Sequence, residues 1–124
     1  MGLDSYAYKV PKKHMKNDFE FEDYEYICND ESNELAYWRK HWKLHNWFKD
    51  LYLKKGGKDS SFNLVPIRVT ADDLNKLKQD FKEDKSLHYS DYMQYDYKYT
   101  DDEFIKNALD AIENGYEVFF ESWY

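Results

Sequence analysis

Residues able to hold a metal ion or pass a proton gather in the first half of the chain: Cys28, His41 and His45, with His14 upstream. Helical histidines four positions apart lie on one side, so His41 and His45 can aim both imidazoles at one ion. Cys28 then offers a thiolate as third ligand, and His14, Asp30 or Glu31 a fourth, which would complete a tetrahedral zinc site. Against this stands the absence of any Cys-x-x-Cys pair, since Cys28 is the sole cysteine. The competing reading buries both imidazoles among aromatic rings, bonded to tyrosine hydroxyls or backbone carbonyls. Proton-transfer catalysis needs a nucleophile or carboxylate partner, and the sequence singles out none. A small zinc protein, structural or hydrolytic, is one expectation; a protein that is not an enzyme is the other.

A second cluster is acidic. From Asp18 to Glu34 there are eight carboxylates (Asp18, Glu20, Glu22, Asp23, Glu25, Asp30, Glu31, Glu34) and no Lys or Arg. The stretch Phe19 to Ile27 alternates aromatic and acidic residues and then slips phase at Glu22-Asp23, as a bulged strand does. On a strand such carboxylates recur every ~6.6–6.8 Å, near the phosphate spacing of an extended nucleic-acid strand. Tyr24 and Tyr26 offer stacking rings between them. This pattern suits a DNA mimic that occupies a basic nucleic-acid channel. The plainer alternative is a solvated edge strand kept from aggregating by its charge. The tract His88 to Tyr99 interleaves Tyr92, Tyr95 and other tyrosines with Asp91 and Asp96, a composition resembling a paratope, which adds Tyr92 and Tyr95 to the candidate partner-binding residues.

The elements that must position these groups follow from periodicity and punctuation. Leu3 to Val10 reads as a first strand, stopped by Pro11. The block ELAYWRKHWKLHNWF holds three of the four tryptophans, and at about 100° per residue its rings share one broad face with both histidines in the middle. The spacing predicts a long helix capped near Ser32, starting at Glu34 and ending at Gly56-Gly57. Phe62 to Val69 is a short apolar strand with Pro66 at an edge or bulge. Thr70 caps a second helix with Leu74, Leu77 and Phe81 inward. Tyr95, Tyr97 and Tyr99 alternate like a strand. Thr100 with Glu103 forms a capping-box pattern for a third helix ending at Asn114-Gly115. Tyr116 to Tyr124 closes the chain as a strand. The sum is one α+β domain over 1–124: an antiparallel or mixed sheet of about five strands with three helices packed on it.

Composition bounds the function. The chain has 124 residues and a net charge of -7, which disfavours direct binding to nucleic acid or an anionic membrane and suits a basic partner. Aromatics make up 20%, enough ring area to build a core despite 35% charged residues. No apolar run approaches the ~20 residues of a membrane span, and no signal-peptide core stands at the N-terminus. Met1-Gly2 lacks the hydroxyl residue that myristoylation wants at position six, where Tyr6 stands. One cysteine fits a reducing compartment.

MGLDSYAY at the start and ELAYWRKHWKLHNWF in the middle resemble a widespread family of small tailed-phage proteins of unsettled function. PIRVTADDLNKL and the ending VFFESWY extend the resemblance, so it touches both ends and the middle. Its pattern keeps Glu34, Tyr37, Trp38, Arg39, Lys40, His45 and Trp47 as they stand here; His41 and Trp42 lie outside it. Family members often carry a kinase-like label, which this chain does not support because no Gly-rich phosphate loop precedes a helix. The resemblance implies a phage gene expressed in a bacterial cytoplasm, where small acidic phage proteins are often inhibitors of host enzymes or defence systems, anti-CRISPR proteins among them. The expected partner is a host protein with a basic surface, most specifically an RNA-guided nuclease. An accessory protein without a strong partner is the remaining alternative.

Overall fold

Eight residues at each end of the chain form the spine of the fold. In a computed structural model describing residues 2–90 and 94–124, β1 (Asp4–Pro11) pairs antiparallel with the closing strand along its whole length, from Asp4 opposite Trp123 to Pro11 opposite Tyr116. The other elements, in chain order, are β2 (Met15–Asn17), β3 (Glu20–Phe21), α1 (Tyr24–Asn29), β4 (Glu34–Arg39), α2 (Trp42–Lys54), β5 (Ile67–Arg68), α3 (Ala71–Glu83), α4 (Lys98–Glu113) and β6 (Tyr116–Trp123). The main sheet has the order β4-β1-β6-β5, every pairing antiparallel, and β2-β3 is a separate two-stranded hairpin. The α+β class and the three longer helices agree with the expectation from sequence.

Alternation along β1 and β6 divides the residues between two faces. Ala7, Val118 and Phe120 join Trp38 and Ile67 on the face covered by α2, α3 and α4, whose Leu44, Phe48, Leu74, Leu77, Phe104 and Ala108 complete the main core. Phe48 stacks on Phe120 at 3.9 Å between centroids, and Trp38 meets Phe104 edge-on at 5.1 Å, contacts worth about 0.5–1.5 kcal/mol each beyond area burial. Tyr8, Val10 and Phe119 point the other way, where Phe21 and Ile27 from the hairpin and α1 cover them, with Met15 and Cys28 packed alongside. Ser5 and Ser122, opposite each other in the register, share a buried hydroxyl hydrogen bond of 2.8 Å.

Local chemistry explains several boundaries. Thr70 caps α3 through a reciprocal box: its Oγ1 accepts from the Asp73 N–H at 3.2 Å, and Asp73 Oδ2 accepts from the Thr70 N–H at 2.8 Å. Gly56 ends α2 at φ +99°, a conformation that favours glycine. Leu53 and Lys54 close α2 in solvent, whereas Leu44, Phe48 and Tyr52 hold its inner stripe.

Five expectations are corrected. The long helix does not start at Glu34. Glu34–Arg39 is an edge strand pairing with β1, Ser32 sits in a 3-10 turn, and the helix begins at Trp42. Without β4 one whole side of β1 would have no backbone partner, which outweighs the helical pattern. The turn between them uses Lys40 at φ +58°, its N–H donating to Leu3 O at 2.7 Å. The bulged strand Phe19 to Ile27 shrinks to Glu20–Phe21, because Asp23 at φ +58° turns the chain into α1. Phe62 to Val69 keeps only Ile67–Arg68 as strand, since Phe62 and Leu64 adopt φ +48° and +61°. Tyr95, Tyr97 and Tyr99 form no strand; Tyr89 and Asp96 make one isolated bridge, and α4 starts at Lys98, so Thr100 lies inside its first turn and caps nothing.

Candidate functional site

The hairpin and α1 present the acidic stretch on the thinly covered side of the sheet. Within it the carboxylates divide by what they touch. Asp18 lies 3.5 Å from Arg68, which also donates to buried Glu117 at 2.8 Å. Asp23 pairs with His14 Nδ1 at 3.1 Å. Asp30 accepts from both the backbone N–H and the hydroxyl of Ser32, at 3.0 and 2.7 Å, and these bonds lower its pKa. Those three stabilise turns and junctions. Glu20, Glu22, Glu25, Glu31 and Glu34 are exposed and belong to no ion pair among the described residues. Burial is what raises the pKa of Glu34, with Glu31 adding to it by repulsion.

The expected phosphate-spaced ladder is not formed. Glu20 lies in β3, Glu22 follows it, Asp23 stands just before the helix in a left-handed turn and Glu25 rides on α1, so no strand carries them at alternate positions. What results is a compact acidic knob around one helical turn.

Two tyrosines of the knob differ. Tyr24 packs its ring on Phe21 at 5.4 Å and donates its hydroxyl to both oxygens of the Glu121 carboxylate. Burial raises the pKa of Tyr24 and of Glu121, and that of the nearby Cys28 thiol to about 12. Tyr24 therefore anchors α1 to β6. Tyr26 is 74% exposed and has no such role. Beside the knob the uncovered half of the sheet adds Tyr37 (41% exposed), whose hydroxyl donates to Asp4 at 2.6 Å and whose ring lies 5.0 Å from Tyr6, and Trp123, 51% exposed. Sequence reading missed Tyr37 because it placed that residue on a helix; Tyr6 and Trp123 were placed on strands but not joined into a surface, for which the Tyr6/Tyr8 alternation in β1 was the available signal. Tyr95 packs at 5.9 Å on Tyr97, whose hydroxyl exchanges hydrogen bonds with the Arg39 backbone at the opposite end of β4 from Glu34, about 17 Å of strand away. Tyr92 lies outside the described residues.

The metal candidates are dispersed. Cys28 packs with Tyr8 and Phe119 on the thinly covered face, whereas His41 and His45 are buried on the helical side. His45 packs against Phe62, Trp42 and Tyr124, and burial drops its pKa to about 4. His41 stacks on Tyr97 at 5.0 Å and sits 3.4 Å from Asp101. His14 answers Asp23. Among the described residues no three His, Cys, Asp or Glu side chains converge as a metal-binding group.

Sequence reading also missed Asp101, a fully buried carboxylate. Trp38 Nε1 donates to its Oδ1 at 2.8 Å, and His88 Nδ1 lies 2.7 Å from its Oδ2, with His41 beyond. These contacts give both carboxylate oxygens a partner within the core. No local sign betrays it, since Thr100-Asp101-Asp102-Glu103 reads as an ordinary helix start.

Among the described residues no helix is long and apolar enough to cross a membrane. Comparison with protein-family models, with curated proteins and with solved structures returns no match.

Proposed function

We propose that this chain is a non-enzymatic, phage-encoded inhibitor that docks its acidic, tyrosine-bearing face on a basic surface of a host defence protein. One observation carries the reading: Glu20, Glu22, Glu25 and Tyr26 are all exposed, in a stretch with no Lys or Arg anywhere from Asp18 to Glu34. A tyrosine with a large exposed ring in an acidic stretch matches what interface hot spots use, an amphipathic anchor beside a polar rim. The charge steers the approach to a positive partner and the ring supplies the contact. The partner class that fits is the nucleic-acid channel of an RNA-guided nuclease in the bacterial cytoplasm, the setting the family resemblance implies. Competition here works through charge and an aromatic knob, without imitation of phosphate spacing.

The test is a plasmid-interference assay in bacteria carrying different RNA-guided nucleases. Wild-type protein is expected to restore plasmid survival against one of them, and the Glu20→Lys, Glu22→Lys, Glu25→Lys triple variant to lose this while remaining folded. Asp23 is left in place because it pairs with His14 at the left-handed turn. Equal protection by the triple variant would refute the reading.

A further inference from the structure

The opposite side of the molecule reverses the sign. Between α3 and α4 runs an open groove of about 880 Å³ floored by Phe81, Ile105 and Leu109. Five lysines line it: Lys78, Lys82 and Lys85 from the α3 side, Lys98 and Lys106 from α4, against three carboxylates, Asp102, Asp110 and Glu113. Lys98 and Asp102 neutralise each other at 2.7 Å. Lys78, Lys82 and Lys85 stand at i, i+4 and i+7, all exposed, and no carboxylate among the described residues pairs with them. A chain of net charge -7 that gathers unanswered lysines along an apolar groove keeps there a surface of sign opposite to its own.

Length decides the kind of occupant. The lining extends along α4 from Lys98 to Glu113, fifteen steps of 1.5 Å or about 22 Å, which exceeds a compact metabolite and matches about four turns of helix. Charge decides its chemistry and direction. Lys85, His88 and Lys98 meet at the end where α4 begins, and the positive end of the α4 dipole adds to them; Asp110 and Glu113 lie at the other. His88 is fixed there: Phe81 stacks on it at 4.1 Å and Asp101 holds its Nδ1. From the apolar floor, the lysine wall and this polarity, we infer that the groove binds an acidic amphipathic helix of a partner protein, apolar face down and carboxylates toward Lys78, Lys82 and Lys85. This surface is independent of the acidic knob.

The test uses the full chain and a fluorescein-labelled peptide of about 20 residues, with apolar residues repeating at i, i+3, i+4 and i+7 and Glu on the flanks. A peptide of identical composition but scrambled pattern is the control. Fluorescence anisotropy is expected to show saturable binding of the patterned peptide, weakened about tenfold by Lys82→Glu with Lys85→Glu, and unchanged by the Glu20, Glu22, Glu25 triple variant. Thermal unfolding of the lysine variant checks that it folds, and Lys78→Glu with Lys106→Glu provides a second pair. Equal binding of both peptides, no binding, full affinity in both lysine variants, or lysine-dependent capture by phosphatidylglycerol vesicles in place of the peptide would each overturn the assignment.

Discussion

Trp38 Nε1 donates a 2.8 Å hydrogen bond to Asp101 Oδ1, joining the edge strand β4 to the first turn of α4 across the core. Both residues are fully buried, and His88 binds the second carboxylate oxygen. Removing the carboxylate strands these N–H groups in an apolar interior. We expect Asp101→Ala to lower unfolding free energy by about 3–5 kcal/mol in urea titration, and Trp38→Phe, which removes one donor, by about 1–3 kcal/mol. A loss under 1 kcal/mol for Asp101→Ala would mean the network contributes little.

Gly57 is required by contact. A Cβ built there falls 2.3 Å from the Tyr52 ring, closer than atoms approach, and Tyr52 is a buried core residue whose hydroxyl accepts from the Asp59 N–H at 3.0 Å. Gly57→Ala is expected to cost about 1–3 kcal/mol by urea denaturation, with Tyr52→Leu in the same chain relieving part of it.

The pH dependence of stability has a source in His45. Its pKa falls from 6.5 to about 4 on folding because burial disfavours the charged ring. Above 6.5 both states are neutral and the group adds no dependence. Between 6.5 and about 4 the unfolded chain takes a proton that the folded chain refuses, so stability drops as pH falls, by up to about 3 kcal/mol. His45→Phe should flatten this limb in urea titrations at pH 7 and pH 4.5; an unchanged slope would exclude His45 as its source.

Tyr26 is the expected contact hot spot of the acidic knob. Because 74% of it is exposed, Tyr26→Ala should leave thermal stability unchanged. It should weaken partner binding by about tenfold or more, measured by calorimetry with the defence protein identified in the interference assay.

Much of the fold was legible because local and tertiary preferences agreed. The strands at both ends, the Thr70 capping box and the glycine ending α2 follow from alternation, capping chemistry and positive φ. Glu34–Arg39 was not legible, and the reason is arithmetic. Positions four apart share a face in a helix and also in a strand, so Trp38 and Trp42 fit either reading. Only the need of β1 for a partner on its open edge separates them, and that is a non-local fact. The same ambiguity hid α1: Phe21 and Ile27, six apart, both bury under the alternating pattern, but Asp23 turns the chain between them. The acidic stretch was visible as charge, though not as a knob. The lysine groove was invisible, since it forms only where α4 is laid beside Lys78, Lys82 and Lys85.

The central claim, that the acidic knob docks on a basic partner, is tested most directly by competition. A guide-loaded nuclease from the interference assay is titrated with this chain in the presence of labelled target DNA, at increasing salt. Displacement of DNA should weaken steadily with salt, and the Glu20→Lys, Glu22→Lys, Glu25→Lys variant should displace none. Displacement that is insensitive to salt and retained by the triple variant would contradict it.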